Sequence, residues 1–371
     1  VTHAIVAVVL PPREIFSPLA TGAVGLLARR LARAPSHFSP VVMGLPGATP
    51  FGDVPFRAVR PGWRLNNYAI RYAAGVARVI RSLGPVLVEV HNRPEVALFL
   101  ADRFPALPVV LVLHNDPQGM RRARTAAERR VLLDRLAGVA AVSGWVRARF
   151  LTGVGERTVA VLPNCIDLAE VPPLPLEREP TILFAGRVVA DKGVDSFVRA
   201  CGLALPRLPG WRAEVLGADR FGPQSPDTPF LRALRPAAAA GGVALTGWRA
   251  HPDILVAMTR AAIVVVPSRW PEPFGLTALE AMACGAALLC SPRGGLPEVT
   301  GDAAVTIDPD DPVSLADAIV ALADDPMRRV ALGTAGQARA KIFDVSVAAA
   351  ALDALRRDVL AAWPRRAAHP I

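Results

Sequence analysis

Lysine is nearly absent from these 371 residues: only Lys192 and Lys341 occur among 42 basic side chains. Arginine in lysine's place fits a genome rich in G and C. It also makes Lys192 a position whose residue type asks for a reason. Cysteine is scarce as well. Cys165, Cys201, Cys284 and Cys290 show no metal-ligand spacing and fit the reduced thiols of a cytoplasmic protein. No uninterrupted apolar run reaches about 18 residues, which argues against a transmembrane helix. The opening VTHAIVAVVLPPREIF has no basic region before its apolar run and no small-residue cleavage pattern after it, so it reads as a first strand and not a signal peptide. Also missing are the G-x-x-x-x-G-K-[ST] phosphate loop, any RNA-binding or helix-turn-helix signature, and an Asp-x-Asp pair in a place suited to a metal. No metal and no cofactor are expected.

What is present describes a globular chain of about two domains, 52% hydrophobic and 20% charged. Its formal +10 is unevenly placed: residues 1–178 hold 22 Arg and 12 Asp plus Glu, and the remainder holds 20 of each sign. Such asymmetry suggests an anionic partner for the N-terminal half, whether lipid headgroups, a phosphorylated glycan or nucleic acid. Arg64, Arg71, Arg78 and Arg81 fall in or just before one helical stretch. Arg121, Arg122, Arg124, Arg129 and Arg130 fall in another. They fit peripheral contact with an anionic membrane, or simply solvated helix faces.

Strand-like runs at Ala4–Leu10, Val41–Leu45, Val86–Val90, Val109–Leu113 and Val139–Val142 alternate with helical stretches at Leu19–Ala34, Tyr68–Leu83 and Arg121–Leu136. That pattern predicts a parallel, doubly wound sheet over residues 1–170. A linker at 171–180, rich in proline, follows. The pattern restarts over 181–344. A last helix, within 345–371, is expected to pack back on the first half. The fold class is thus α/β, with two Rossmann-like domains facing each other across a cleft at their strand C-termini.

Within the second domain, VVVPSRWPEPFGLTALEAMACG (264–285) reads as strand, loop and helix. The unpaired N–H groups at the helix start, around Phe274, Gly275 and Leu276, can take an anion, and Gly275 permits close approach. Glu280 lies among Ala278, Leu279, Ala281, Met282 and Ala283. A carboxylate on so apolar a helix needs a partner, and a sugar diol is one; a half-exposed surface glutamate is the plain alternative. Upstream, GRVVADKG (186–193) follows the first strand of this domain and places Arg187 and Lys192 at a strand C-terminus. Two cations there would neutralise a diphosphate leaving group, and a solvated loop is the plain alternative.

GRVVADKG, then VVVPSRWPEPFGLTALEAMACG, then RGGLPE (293–298) resemble the retaining glycosyltransferases of family 4, which have the GT-B arrangement of two Rossmann-like domains. The resemblance implies roles. Arg187 and Lys192 would hold the donor diphosphate and Glu272 the hydroxyls of the donor sugar. Phe274, Gly275 and Leu276 would offer N–H groups to sugar or phosphate. Glu280 would bind the ribose, and Arg249 the base. His114, ending VVLVLHNDP, would contact the sugar near its reacting carbon. His91, another strand-end histidine, is placed near the acceptor. The family's Gly-Gly pair before the first helix is here Gly22-Ala23, where a positive φ would suit alanine less well. His3, His37, His251 and His369 carry no functional reading.

The activity implied is hexosyl transfer from a nucleotide diphosphate sugar to a hydroxyl of a glycan or lipid-linked acceptor, with retention and without a metal. The setting implied is lipopolysaccharide or exopolysaccharide assembly, in the cytoplasm or at the inner face of the membrane. Rival readings are a nucleotide-sugar epimerase or small-molecule glycosyltransferase of the same fold. From another class comes a nucleic-acid-binding protein using the basic half, although no nucleic acid is expected as a partner.

Overall fold

The computed structural model describes residues 4–47, 49–62, 67–219 and 225–367, with side chains described as far as Trp363. Arg64, His3, His369 and the first residues of the Phe221–Pro229 loop lie outside the described residues. The chain forms two compact units, Val1–Cys165 with Val345–Ile371, and Ile166–Asp344.

The first unit runs β1 (Ala4–Val9), β2 (Ile15–Phe16), α1 (Ala23–Arg33), β3 (Phe38–Pro46), β4 (Phe56–Ala58), α2 (Tyr68–Leu83), β5 (Leu87–His91), α3 (Pro94–Arg103), β6 (Val109–Leu113), α4 (Ala126–Arg135), β7 (Gly138–Ala141), α5 (Gly144–Leu151) and β8 (Ala160–Val161). Its strands pair in parallel in the order β2-β3-β1-β5-β6-β7-β8, with β4 on β3. All of VVLVL in β6 is buried, as a strand covered by helices on both faces must be. Local chemistry sets the helix ends. Asn67 caps α2 and Gly84, at φ 61°, closes it. Thr125 and Glu128 form a reciprocal capping box that starts α4.

The second unit runs β9 (Glu179–Ala185), α6 (Val194–Ala204), β10 (Arg212–Leu216), α7 (Pro229–Ala240), β11 (Val243–Gly247), α8 (His251–Arg260), β12 (Ala261–Val266), α9 (Leu276–Ala283), β13 (Ala287–Cys290), α10 (Leu296–Thr300), β14 (Val305–Thr306), α11 (Pro312–Ala323) and α12 (Pro326–Ala340). Its parallel order, β11-β10-β9-β12-β13-β14, is that of a dinucleotide-binding sheet, whose direction of winding reverses between β9 and β12. The last helix, α13 (Val345–Ala367), returns to the first unit. There the Arg356 guanidinium forks onto Glu89 at 2.7 and 3.0 Å, and Asp353 accepts from the Ser36 hydroxyl and the His37 N–H at 2.8 and 2.7 Å.

Several boundaries differ from those the sequence suggests. Residues 166–170 go with the second unit, because Ile166 N–H donates to Phe343 O and Leu168 N–H to Asp344 Oδ1. Glu179 and Pro180 already belong to β9. Residues 121–125 precede α4 as turns. The arginines read as a basic face are not all free to form one. Arg129 is only 3% exposed and donates to the carbonyls of Ala123, Phe150 and Thr152. Arg71 and Arg78 donate to Gly62 O and Arg60 O.

Candidate functional site

In open α/β sheets ligands bind outside the strand C-termini where the winding reverses. In the second unit that place lies between the loops after β9 and β12, and they carry the expected residues. Lys192, in a short turn after β9, reaches Glu272 Oε1 at 2.5 Å, and the Ser268 hydroxyl donates to the same oxygen at 2.7 Å. Glu272 is 8% exposed, so these bonds offset the cost of burying its charge.

The two loops are fastened together. The Asp191 carbonyl accepts from the N–H groups of Arg269 and Trp270, both at 2.9 Å. The Arg269 guanidinium forks onto Asp195 at 2.6 and 3.0 Å and reaches Asp310 at 2.8 Å. Burial by itself raises the Asp195 pKa; the Arg269 bonds outweigh it and hold the carboxyl below the usual range. Gly193, at φ 68°, lies so close that a Cβ would sit 1.9 Å from Pro267 O. No other residue allows that approach.

Gly275, at φ 107°, stands at the N-terminus of α9 with no side-chain cap on the helix. A Cβ on it would meet the Leu296 side chain at 2.4 Å. Phe274 is buried and packs edge-on against Phe343. The N–H groups at the start of α9, including that of Leu276, are therefore presented by a rigid turn, with the partial positive charge of a helix N-terminus. Arg187 is exposed at the end of β9 and makes no ion pair among the described residues.

Further along α9, Glu280 is 7% exposed, and its Oε1 lies 2.7 Å from His251 Nε2. His251 begins α8, just after β11. Sequence reasoning gives His251 no functional reading; only the fold brings it, two residues after Arg249, onto Glu280. Arg249 itself is exposed, donates to the Trp248 carbonyl, and has no bond to Lys192, Glu272 or Glu280. Beside it is a pocket of about 230 Å³ lined by Gly217, Leu245, Gly247 and Trp248 and closed on one side by the Asp227–Arg235 pair at 2.7 Å. Sequence reasoning did not find this pocket, because its walls come from β10, β11, α7 and the loop after β9, which are far apart in the chain.

In the first unit, His91 and His114 end the adjacent strands β5 and β6 and bond to each other, Nδ1 to Nε2, at 2.8 Å. The other His91 ring nitrogen, Nε2, is buried without a partner among the described residues. Burial, then the Arg356 charge, pushes the His91 pKa down to about 4. Burial, then His91, lowers His114 well below the ordinary value, against the opposing effect of a hydrogen bond to the Asn164 side chain. The pair is neutral at pH 7. His114 thus has one ring nitrogen engaged by His91 and the other enclosed.

Gly22 and Ala23 lie where expected, at the start of α1, but the protein supplies the anion. Glu14 Oε1 accepts from Gly22 N–H at 2.6 Å and from Gly25 N–H at 3.1 Å. Burial raises the Glu14 pKa despite these bonds. Gly22 has φ −89°, so the turn asks for no left-handed residue and Ala23 is accommodated.

The sequence matches two family descriptions, Glycosyltransferase Family 4 over residues 23–170 and Glycosyl transferases group 1 over residues 179–325. This chain belongs to the family 4, group 1 glycosyltransferases. Among its relatives, glycogen synthase of Mycobacterium tuberculosis is 34% identical over 47% of this chain and 42% of its own. D-inositol 3-phosphate glycosyltransferase of Kineococcus radiotolerans is 31% identical over 67% of this chain and 59% of its own. The chain therefore spans about half the length of the curated relatives it matches. The crystal structure of Anabaena HepE in complex with UDP superposes with TM-score 0.76 at 19% identity, covering 96% of this chain and 100% of that one. That likeness establishes the GT-B fold for this family 4 chain. Among the described residues no three His, Cys, Asp or Glu side chains converge as metal ligands would, and no helix is long and apolar enough to cross a membrane.

Proposed function

We propose that this protein transfers a hexosyl group from a nucleoside diphosphate sugar to a hydroxyl of a glycan or lipid-linked acceptor, with retention at the anomeric carbon. The observation that carries the reading is the meeting of Lys192 and Glu272 at the point where the second sheet reverses its winding. The uncapped N-terminus of α9 supports it. Lys192, Arg187 and the α9 N–H groups stabilise the departing diphosphate, in the role a metal ion has elsewhere. Glu272, held by Lys192 and Ser268, takes sugar hydroxyls; Glu280 takes the ribose; the pocket at Trp248 takes the base. The bond from the anomeric carbon to the diphosphate oxygen breaks while the acceptor oxygen arrives on the same face. The acceptor proton passes to the leaving phosphate. His114 orients the sugar.

The acceptor belongs to cell-surface polysaccharide assembly in this reading, supported by the basic first unit and by exposed Arg121, Arg122 and Arg124. A thermal-shift panel of UDP, GDP and ADP tests the donor half. One nucleotide raises the melting point of the wild type and has no effect on Lys192→Ala. If none does so, the reading fails. Loss of turnover in EDTA, restored only by a divalent ion, overturns its metal-free part.

A further inference from the structure

We infer that His251 is a positioning residue for the nucleotide: it holds the Glu280 carboxylate in the orientation that takes the ribose diol. The inference rests on the donor reading above and extends it to a side chain outside the motifs. Glu280 projects from a helix whose buried residues run from Ala278 to Ala283. Around a charge in so apolar a setting, any donor that remains has large influence on where its oxygens point. His251 Nε2 is at 2.7 Å from Glu280 Oε1, and a carboxylate partner requires that Nε2 carry the proton.

The frame behind this bond is stiff. The Arg178 guanidinium donates to Met258 O and Thr259 O at the end of α8 and to Cys284 O at the end of α9, at 3.2, 2.8 and 2.6 Å. Cys284 Sγ adds a contact to Leu255 O at 3.6 Å. The helices bearing His251 and Glu280 are thus tied together at their C-terminal ends, and His251, at the start of α8, reaches Glu280 in the second half of α9. His251 also begins α8 three residues after Trp248, which lines the pocket beyond β11. A nucleoside with its base in that pocket brings its ribose to the Glu280–His251 pair. His251 fixes Oε1, and the ribose hydroxyls then meet an ordered carboxylate, so less freedom is lost on binding.

The test is a binding cycle by calorimetry on the full chain. UDP, GDP and ADP are titrated first; the one that binds is then compared with its 2′,3′-dideoxy form on wild type, His251→Ala and His251→Gln. The glutamine amide can place an N–H where Nε2 stood. The expected result is a loss of about tenfold in affinity for the ribonucleotide in His251→Ala, recovery to within about threefold in His251→Gln, and little change for the dideoxy form. Equal losses for both nucleotides, or no loss for either, overturn the positioning role while the donor reading stands. Wild type that binds none of the three diphosphates removes the donor reading and this inference with it.

Discussion

The two units are built from the same alternation of strand and helix, yet they use charge in opposite ways. In the second unit, ionic side chains gather in the loops after β9 and β12, Lys192 on Glu272 and Arg269 on Asp195, and beyond them His251 bonds to Glu280. In the first unit the notable charges turn inward. Arg356 lies between Glu89 and Asp353, Arg129 is wrapped by carbonyls, and Arg30 donates to Cys165 O from a side chain 1% exposed. At the strand ends of that unit two neutral histidines face each other instead. The excess of arginine in residues 1–178 therefore has a structural use as well as a surface one. A run of basic residues in sequence is not by itself a basic face.

The strand orders differ too. The second sheet reverses between β9 and β12, and the first, its short β2 and β4 aside, has β3-β1-β5-β6-β7-β8, the flavodoxin-like order. In the first unit the loop after β1 bends so that Glu14 satisfies the start of α1. In the second unit the start of α9 has no side-chain cap. One helix end is closed by the protein's own carboxylate, and the other is open to an anion.

The contrast can be broken by experiment. Its largest expected effect is on Arg356→Met, which leaves Glu89 and Asp353 buried without their cation. Denaturant melts should show a loss of about 3–5 kcal/mol. The nucleotide affinity of whatever remains folded should be unchanged, because the residues proposed to hold the nucleotide, Lys192 and Glu280, belong to the other unit. Lys192→Ala should act mainly on turnover, reducing kcat/KM by about 10²–10³-fold, with a smaller loss in the melt than Arg356→Met because Lys192 is partly exposed and Ser268 still donates to Glu272. If the melt collapses and turnover survives, the Lys192–Glu272 pair is structural and the comparison fails.

Acid should find the first unit before the second. His91 has its folded pKa at about 4 against an ordinary 6.5, so below 6.5 the unfolded chain binds a proton that the folded one refuses. Stability is then complete above that window and falls as pH drops through it, by about 1.4 kcal/mol per pH unit for each such histidine. His114 shifts in the same direction and adds to the slope. Hydrogen exchange at pH 7 and pH 5 should show protection lost around β5 and β6 ahead of β9 and β12. Equal loss in both units would remove the histidine pair as the cause. The smallest effect is expected from Glu14→Ala, about 1 kcal/mol for a lost helix cap, read as a lower melting point. A gain in stability would mean that the buried carboxylate costs more than its bonds to Gly22 and Gly25 return.

The sequence by itself determined a great deal here. VVVPSRWPEPFGLTALEAMACG gives strand, loop and helix because its apolar run, its prolines and its alanine-rich end each have one comfortable backbone state. Gly275 marks a close approach that the structure contains, since a Cβ there would meet the Leu296 side chain. Shorter elements were harder to read. α3 opens on Pro94 and lasts ten residues, and α7 contains Pro236, so periodicity has little length to work on. What only the tertiary structure decided is partnership. Lys192 and Glu272 are 80 positions apart, His251 and Glu280 are 29, and His91 and His114 are 23. The order of strands brings each pair together, and hydrogen bonds and burial, which depend on distance in space, are not written along the chain.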